Sequence, residues 1–194
     1  QLVRKGSGRI KKKEEFTMKL AVCPGSFDPI TNGHLDIIQR ASRMFDEVVV
    51  LVAYNPQKNN RAFTVSERLE MIDACIAGLD NVRSDSYPGL VADYLEQVGG
   101  CAIVKGLRAV SDFEYEFQQA LANKRLNPKA DTVFLTTATE NMFLSSSLVK
   151  QIAAFGGEIQ EFVPACIAGR IRQRLCPDSV QPKDAALLEG DAQK

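Results

Sequence analysis

Six consecutive apolar residues, Val48-Val49-Val50-Leu51-Val52-Ala53, most restrict what this chain can fold into. A run with no polar alternation describes a strand covered on both faces, and such strands belong to parallel sheets sandwiched between helices. The remaining chain keeps to that theme. Strands are expected near 19–24, 48–54, 82–86, 102–105 and 132–137, alternating with helices at 34–45, 65–78, 90–98, 112–126 and 146–155, without internal repeats. Thr64 with Glu67, and Ser111 with Glu114, have the spacing of capping boxes that start helices. This βαβ order predicts an α/β fold, a doubly wound parallel five-stranded sheet, with ligands at the carboxyl ends of its strands.

The first such strand end carries the most distinctive string, Pro24-Gly25-Ser26-Phe27-Asp28-Pro29-Ile30-Thr31-Asn32-Gly33-His34. It follows the apolar run Leu20 to Cys23 and leads into a helix whose apolar face includes Leu35, Ile38 and Phe45. A loop from a parallel strand to a helix amino terminus presents unpaired N–H groups and the positive end of the helix dipole, which suits phosphate. Gly25 and Gly33 permit close backbone approach, and Pro24 and Pro29 stiffen the path. His34, the only histidine, can donate a ring N–H to a phosphate oxygen; alternatively it braces loop carbonyls.

Composition bounds the class. At 194 residues, 45% hydrophobic and 25% charged, the chain can bury the core of one domain. Residues 1–17 hold six basic residues against Glu14 and Glu15, a net +4, which leaves −4 on the remainder. The body therefore lacks the footprint of a nucleic-acid binder. No stretch approaches the roughly 20 apolar residues that span a bilayer, so a soluble cytoplasmic protein is expected, with no membrane partner. Residues 1–17 are read as a disordered basic leader, an early start assignment or an appended segment, 18–175 as a single domain, and 176–194 as a flexible polar tail. The five cysteines, Cys23, Cys75, Cys101, Cys166 and Cys176, are widely spaced and read as reduced thiols, and no zinc-ligand cluster is present.

Three further segments fall at strand ends. Asn55 to Arg61 is a polar loop with two cations, Lys105-Gly106-Leu107-Arg108 follows the fourth strand, and Ser145-Ser146-Ser147 precedes a helix. Each alone has a structural explanation, as a solvated loop or a helix cap. Placed together at one edge of a sheet, they point to one polyanion site.

These residues carry a family resemblance. The T-x-G-H form Thr31-Asn32-Gly33-His34 resembles the signature of the nucleotidyltransferase superfamily, and the longer string Pro24 to His34 is similar to the phosphopantetheine adenylyltransferase family. That family's second-strand lysine is matched by Lys58, its R/K-G-L-R motif by Lys105 to Arg108, and its S-S-S-L-x-K motif by Ser145 to Lys150. The matches run in order from Met18 to about Leu175, so the resemblance implies a Rossmann-like nucleotidyltransferase fold. Lysine at 105, where some members have arginine, keeps the cation but not the planar two-pronged contact. The segment Ala138 to Met142 matches weakly.

The resemblance implies transfer of an adenylyl group from ATP to 4′-phosphopantetheine, giving dephospho-coenzyme A and pyrophosphate. His34, Lys58 and Arg108 are the implied catalytic residues, with His34 on an α-phosphate oxygen and Arg108 on the polyphosphate. ATP contacts are implied at Ser26, Phe27, Gly106, Leu107, Glu116, Asn141, Met142, Phe143 and Leu144, and at Ser145 to Ser147 around the β- and γ-phosphates. Glu116 can instead form a helix-surface ion pair. Ser26, Lys58, Val91 and Lys105 are the implied acceptor contacts, Val91 having core packing as its plain alternative. Mg²⁺ is expected to bridge phosphate oxygens without a dedicated protein site. A homohexamer and feedback by coenzyme A are carried over by resemblance alone. Two other readings are an adenylyltransferase for another acceptor such as nicotinamide mononucleotide, against which the K-G-L-R and S-S-S-L-V-K strings argue, and a non-catalytic nucleotide-binding module.

Overall fold

The structure, a computed structural model, describes residues 18–53 and 61–176. Residues 1–17, 54–60, which include Lys58, and 177–194 lie outside the described residues. The elements run β1 (Leu20–Gly25), α1 (Asn32–Ser42), β2 (Glu47–Ala53), α2 (Val65–Ile76), β3 (Val82–Tyr87), α3 (Val91–Gln97), β4 (Ala102–Leu107), α4 (Val110–Leu126), β5 (Asp131–Thr136), a 3₁₀ turn (Thr139–Asn141), α5 (Ser146–Ala154) and α6 (Ala165–Leu175). The five strands form one sheet in the order β3-β2-β1-β4-β5, every pair parallel.

The strand pleat sorts the apolar run. Val50 and Val52 pack with Phe63, Met71 and Ile72 around α2, α5 and α6, and Val48 joins Ala21, Ile37 and Ala41 beneath α1. Val49 and Leu51 turn to the opposite face, against Tyr94 and Leu95 of α3. Residues 48–51 are completely buried, which accounts for their lack of alternation. Each contributes on the order of 1.5–3 kcal/mol of burial. The sheet order reverses between β1 and β4, and the crevice outside their carboxyl ends is where a doubly wound fold receives ligand.

Two helix starts differ from expectation, and one helix was not foreseen. The Thr64–Glu67 box is present, Thr64 Oγ1 accepting from the Glu67 N–H and Glu67 from the Thr64 N–H. Ser111 and Glu114 form no box. α4 begins at Val110, its N-cap Ala109 supplies no side-chain bond, and Asp112 reaches back instead to accept the Arg108 N–H at 3.2 Å. α1 begins at Asn32 rather than 34, capped by Thr31. α6 was missed although Ile167, Ala168 and Ile171 make a buried helical stripe, because Pro164 and Gly169 interrupt the sequence pattern.

Candidate active site

The first loop turns sharply beneath the cleft. Phe27 holds a left-handed φ of 45°, and its ring is buried against the space beside Gly25. A Cβ on Gly25 would lie 2.9 Å from that ring, so glycine is required by close approach. The Asp28–Pro29 peptide is cis. The buried Phe27 ring meets His34 edge-on at 5.2 Å between centroids.

His34 is oriented by its own helix cap. Thr31 Oγ1 accepts from the His34 N–H at 3.4 Å, and His34 Nδ1 accepts from the Thr31 N–H at 3.1 Å. A backbone N–H can only donate, so Nδ1 carries no proton in this arrangement and the proton resides on Nε2. Thr31 Oγ1 adds a contact to Nδ1 at 3.0 Å. The ring is thus presented as an Nε2–H donor at the head of α1.

A second set of bonds fastens this loop to distant elements. The buried Asp28 carboxylate accepts from the Ala62 and Phe63 N–H groups at 3.1 and 3.0 Å and pairs with Lys150 Nζ of α5 at 2.9 Å. Arg68, 2% exposed, donates to the Ser26 carbonyl at 2.8 Å. Burial pushes its pKa down, opposed by the charge of Asp28. Ser146 Oγ donates to the Pro29 carbonyl at 2.7 Å, and the Asn32 amide N–H donates to the Phe162 carbonyl at 3.0 Å. The loop's shape is fixed by groups far away in sequence, up to Lys150 and Phe162.

The facing wall is built by β4 and α4. Lys105 Nζ pairs with Glu116 at 2.9 Å, both about one-fifth exposed. Two residues singled out separately from the sequence are thus one ion pair. Arg108 is held at three points: Nε and Nη2 donate to Asp112 at 2.9 and 3.0 Å, and Nη1 donates to the Leu144 carbonyl at 2.9 Å. The Arg108 guanidinium keeps the Asp112 carboxyl below its usual range. Gly106 lets α1 close over the strand end, since a Cβ there would stand 2.8 Å from Ile37.

These walls enclose a cleft of about 630 Å³. Ser26, Phe27, His34, Val91, Lys105, Gly106, Arg108, Glu116, Asn141, Leu144 and Ser145 to Ser147 all line it, drawn from five separate stretches of chain. Val91 does double duty, since it also packs against the Tyr94–Leu95 core. Three expected residues do not line the cleft. Leu107 spends its carbonyl on the Thr137 N–H at the end of the sheet, Met142 is half-exposed, and Phe143 packs edge-on against Phe162. Ser145 caps α5 by accepting the Leu148 N–H, and Ser146 is bound to Pro29, so Ser147 is the exposed member of the trio. Thr31, Asp112 and Asp28 were not foreseen; Thr31, three residues before His34, and Asp112, four residues after Arg108, had a local signal, and Asp28 had none.

The donor set is cationic and hydroxylic. Among the described residues no group of three or more His, Cys, Asp or Glu is placed to hold a metal ion. The two carboxylates at the cleft, Asp112 and Glu116, are already in ion pairs. Cys23 beneath the cleft is pushed up to about 12 by burial, partly opposed by Lys105. Among the described residues no helix is long and apolar enough to cross a membrane.

Comparison with known proteins agrees with this geometry. A family profile described as cytidylyltransferase-like matches residues 22–152. Phosphopantetheine adenylyltransferase of Heliobacterium modesticaldum is 51% identical over 86% of this chain and 98% of its own length. The protein of that description from Alkaliphilus oremlandii is 54% identical over 81% of this chain and all of its own. Among solved structures, a nicotinate-nucleotide adenylyltransferase of Vibrio parahaemolyticus, so described provisionally, superposes with a TM-score of 0.60 at 18% identity, covering 82% of this chain and 99% of that one, a likeness of fold alone. A Francisella tularensis bifunctional NMN adenylyltransferase/ADP ribose pyrophosphatase gives 0.57 at 18% identity over 77% of this chain and 45% of its own. With the profile spanning most of the chain and relatives matching at half of their positions, the chain belongs to the cytidylyltransferase-like nucleotidyltransferases and, within them, to the phosphopantetheine adenylyltransferase family.

Proposed function

We propose that this chain transfers the adenylyl group of ATP to 4′-phosphopantetheine, reversibly, giving dephospho-coenzyme A and pyrophosphate. The observation that carries the reading is identity at half of all positions with phosphopantetheine adenylyltransferases along nearly their whole length. An oxygen of the acceptor phosphate attacks the α-phosphorus, the bond to the β-phosphate oxygen breaks, and pyrophosphate leaves. The nucleophile is already anionic, so no general base is needed and alignment with charge neutralisation accounts for most of the acceleration.

Roles follow from the cleft. His34 Nε2–H donates to an α-phosphate oxygen in the transition state, with its ring held by Thr31. Lys105 supplies charge to the acceptor phosphate from its pair with Glu116, and Lys58 is assigned to the same phosphate. Arg108 has two N–H bonds beyond the three already used, and these face the polyphosphate. The amino terminus of α5 with Ser147 receives the β- and γ-phosphates. Ser26 and Val91 contact the acceptor, and Gly106, Glu116, Asn141 and Leu144 the nucleotide.

The carboxylates at the cleft are engaged with Arg108 and Lys105, so the donor set fits an ion carried by substrate phosphates rather than by a protein cluster. Mg²⁺ bound in that way supplies neutralisation of the polyphosphate charge. Residues 18–175 are proposed to be one catalytic domain acting in the cytoplasm, inhibited by coenzyme A through its shared pantetheine arm. The homohexamer rests on the family resemblance; the exposed Val110, Leu121 and Leu126 of α4, a helix with no buried residue, suit a contact between copies of the chain. Supplying dephospho-coenzyme A and pyrophosphate tests the reaction in reverse: formation of ATP and 4′-phosphopantetheine is expected, and absence of ATP overturns the reading.

A further inference from the structure

The helix the sequence reading missed, α6, lies against α2 along an antiparallel seam with three rungs. Arg174 meets Glu67, Arg170 Nη1 lies 2.8 Å from Glu70, and Cys166 Sγ lies 3.7 Å from Cys75 Sγ. The first rung abuts the substrate loop's support, because Arg174 also stands over the Phe63 ring at 5.9 Å and the Phe63 N–H is bound to Asp28. The thiol rung closes the opposite end. Both cysteines are free, 91 residues apart in sequence, and reachable: Cys166 is exposed and Cys75 partly so.

We propose that Cys75 and Cys166 form a reversible thiol–disulfide site that locks α6 to α2 when a low-molecular-weight disulfide oxidises it. Closing the sulfurs from 3.7 Å to a bond of about 2.05 Å requires a movement of roughly 1.7 Å, within the play of two surface helices. The exposed Cys166 thiolate attacks the disulfide RSSR, forming Cys166–S–SR and releasing the first thiolate. Cys75 then attacks the Cys166 sulfur, the bond to SR breaks, and the second thiolate leaves. The two protein thiols lose two electrons, RSSR gains them, and the two thiol protons end on the released thiols.

Cys75 suits the resolving role. Burial pushes its pKa up to about 12, helped by the hydrogen bond and charge of Cys166. The exposed Cys166 is the thiol that meets the disulfide first, and the partly buried Cys75, 3.7 Å from it, is placed to resolve the mixed disulfide. The closed bond ties off a loop of about 90 residues and restrains the unfolded chain strongly.

The test uses the full-length reduced protein treated with glutathione disulfide, followed by intact mass, non-reducing peptide mapping and thermal unfolding. The expected result is a monomer lighter by two hydrogen atoms, linked peptides containing Cys75 and Cys166, and a rise of about 5 °C or more in the unfolding midpoint, reversed by dithiothreitol. Cys75→Ser should stall as a glutathione adduct on Cys166, and Cys166→Ser should form no internal bond. A persistent adduct on the unaltered protein, a bond between other cysteines, or no change in mass would overturn the proposal, and the mapping of the unaltered protein decides it even where a variant folds poorly.

Discussion

Nδ1 of His34 accepts the backbone N–H of Thr31 at 3.1 Å, which makes the imidazole both the end of a helix cap and a donor with a fixed tautomer. Replacing His34 with alanine removes the donor at the α-phosphate, and turnover should fall by about 10²–10³-fold. ATP affinity, measured by calorimetry, should change little. Loss of ATP binding with unchanged turnover at saturation would contradict the assigned role.

Thr31→Ala separates orientation from chemistry. It deletes the hydroxyl that caps α1 and touches Nδ1, at a cost of about 1 kcal/mol in stability, while leaving the imidazole in place. Turnover should fall less than in the His34 variant, with KM for both substrates nearly kept. Thr31→Ser should restore both stability and rate.

Lys150 and Asp28 tie α5 to the substrate loop through a pair whose carboxylate is buried. Asp28→Ala strands an ammonium and two backbone N–H groups, and should destabilise the fold by about 3 kcal/mol or more in urea unfolding. Lys150→Met keeps the backbone donors and should cost less.

The Arg108–Asp112 pair gives a pH signature. Because the folded carboxyl titrates below its usual value near 3.8, its stabilisation is complete above that pH and is lost as the pH falls through the lower folded value. Asp112→Asn should therefore flatten the acid limb of the unfolding midpoint below the usual carboxyl value near 3.8, while leaving its slope at neutral pH unchanged. An identical acid limb in the variant would show that the pair contributes nothing.

Much of this molecule is legible in its sequence, and the illegible part has a common cause. The continuous run Val48 to Ala53 announced a doubly covered strand, and all five strands lie close to where periodicity put them. The convergence of Ser26, His34, Lys105, Arg108 and Ser147 followed from the rule about strand ends. The bonds that hold those residues in place could not be read, because Asp28 finds Lys150, Arg68 finds Ser26 and Arg108 finds Leu144 only once the chain is folded. The Thr31 cap escaped notice because histidine, not glutamate, fills its third position. α4 showed a weakly amphipathic pattern for a physical reason, since its apolar residues face outward as well as toward β5.

The most direct test supplies purified protein with Mg²⁺ and ATP, adds 4′-phosphopantetheine to one sample and nicotinamide mononucleotide to another, and measures pyrophosphate release. Release with phosphopantetheine alone is predicted. Release with the mononucleotide alone would contradict the acceptor assignment, and silence in both samples despite ATP binding would contradict catalysis itself.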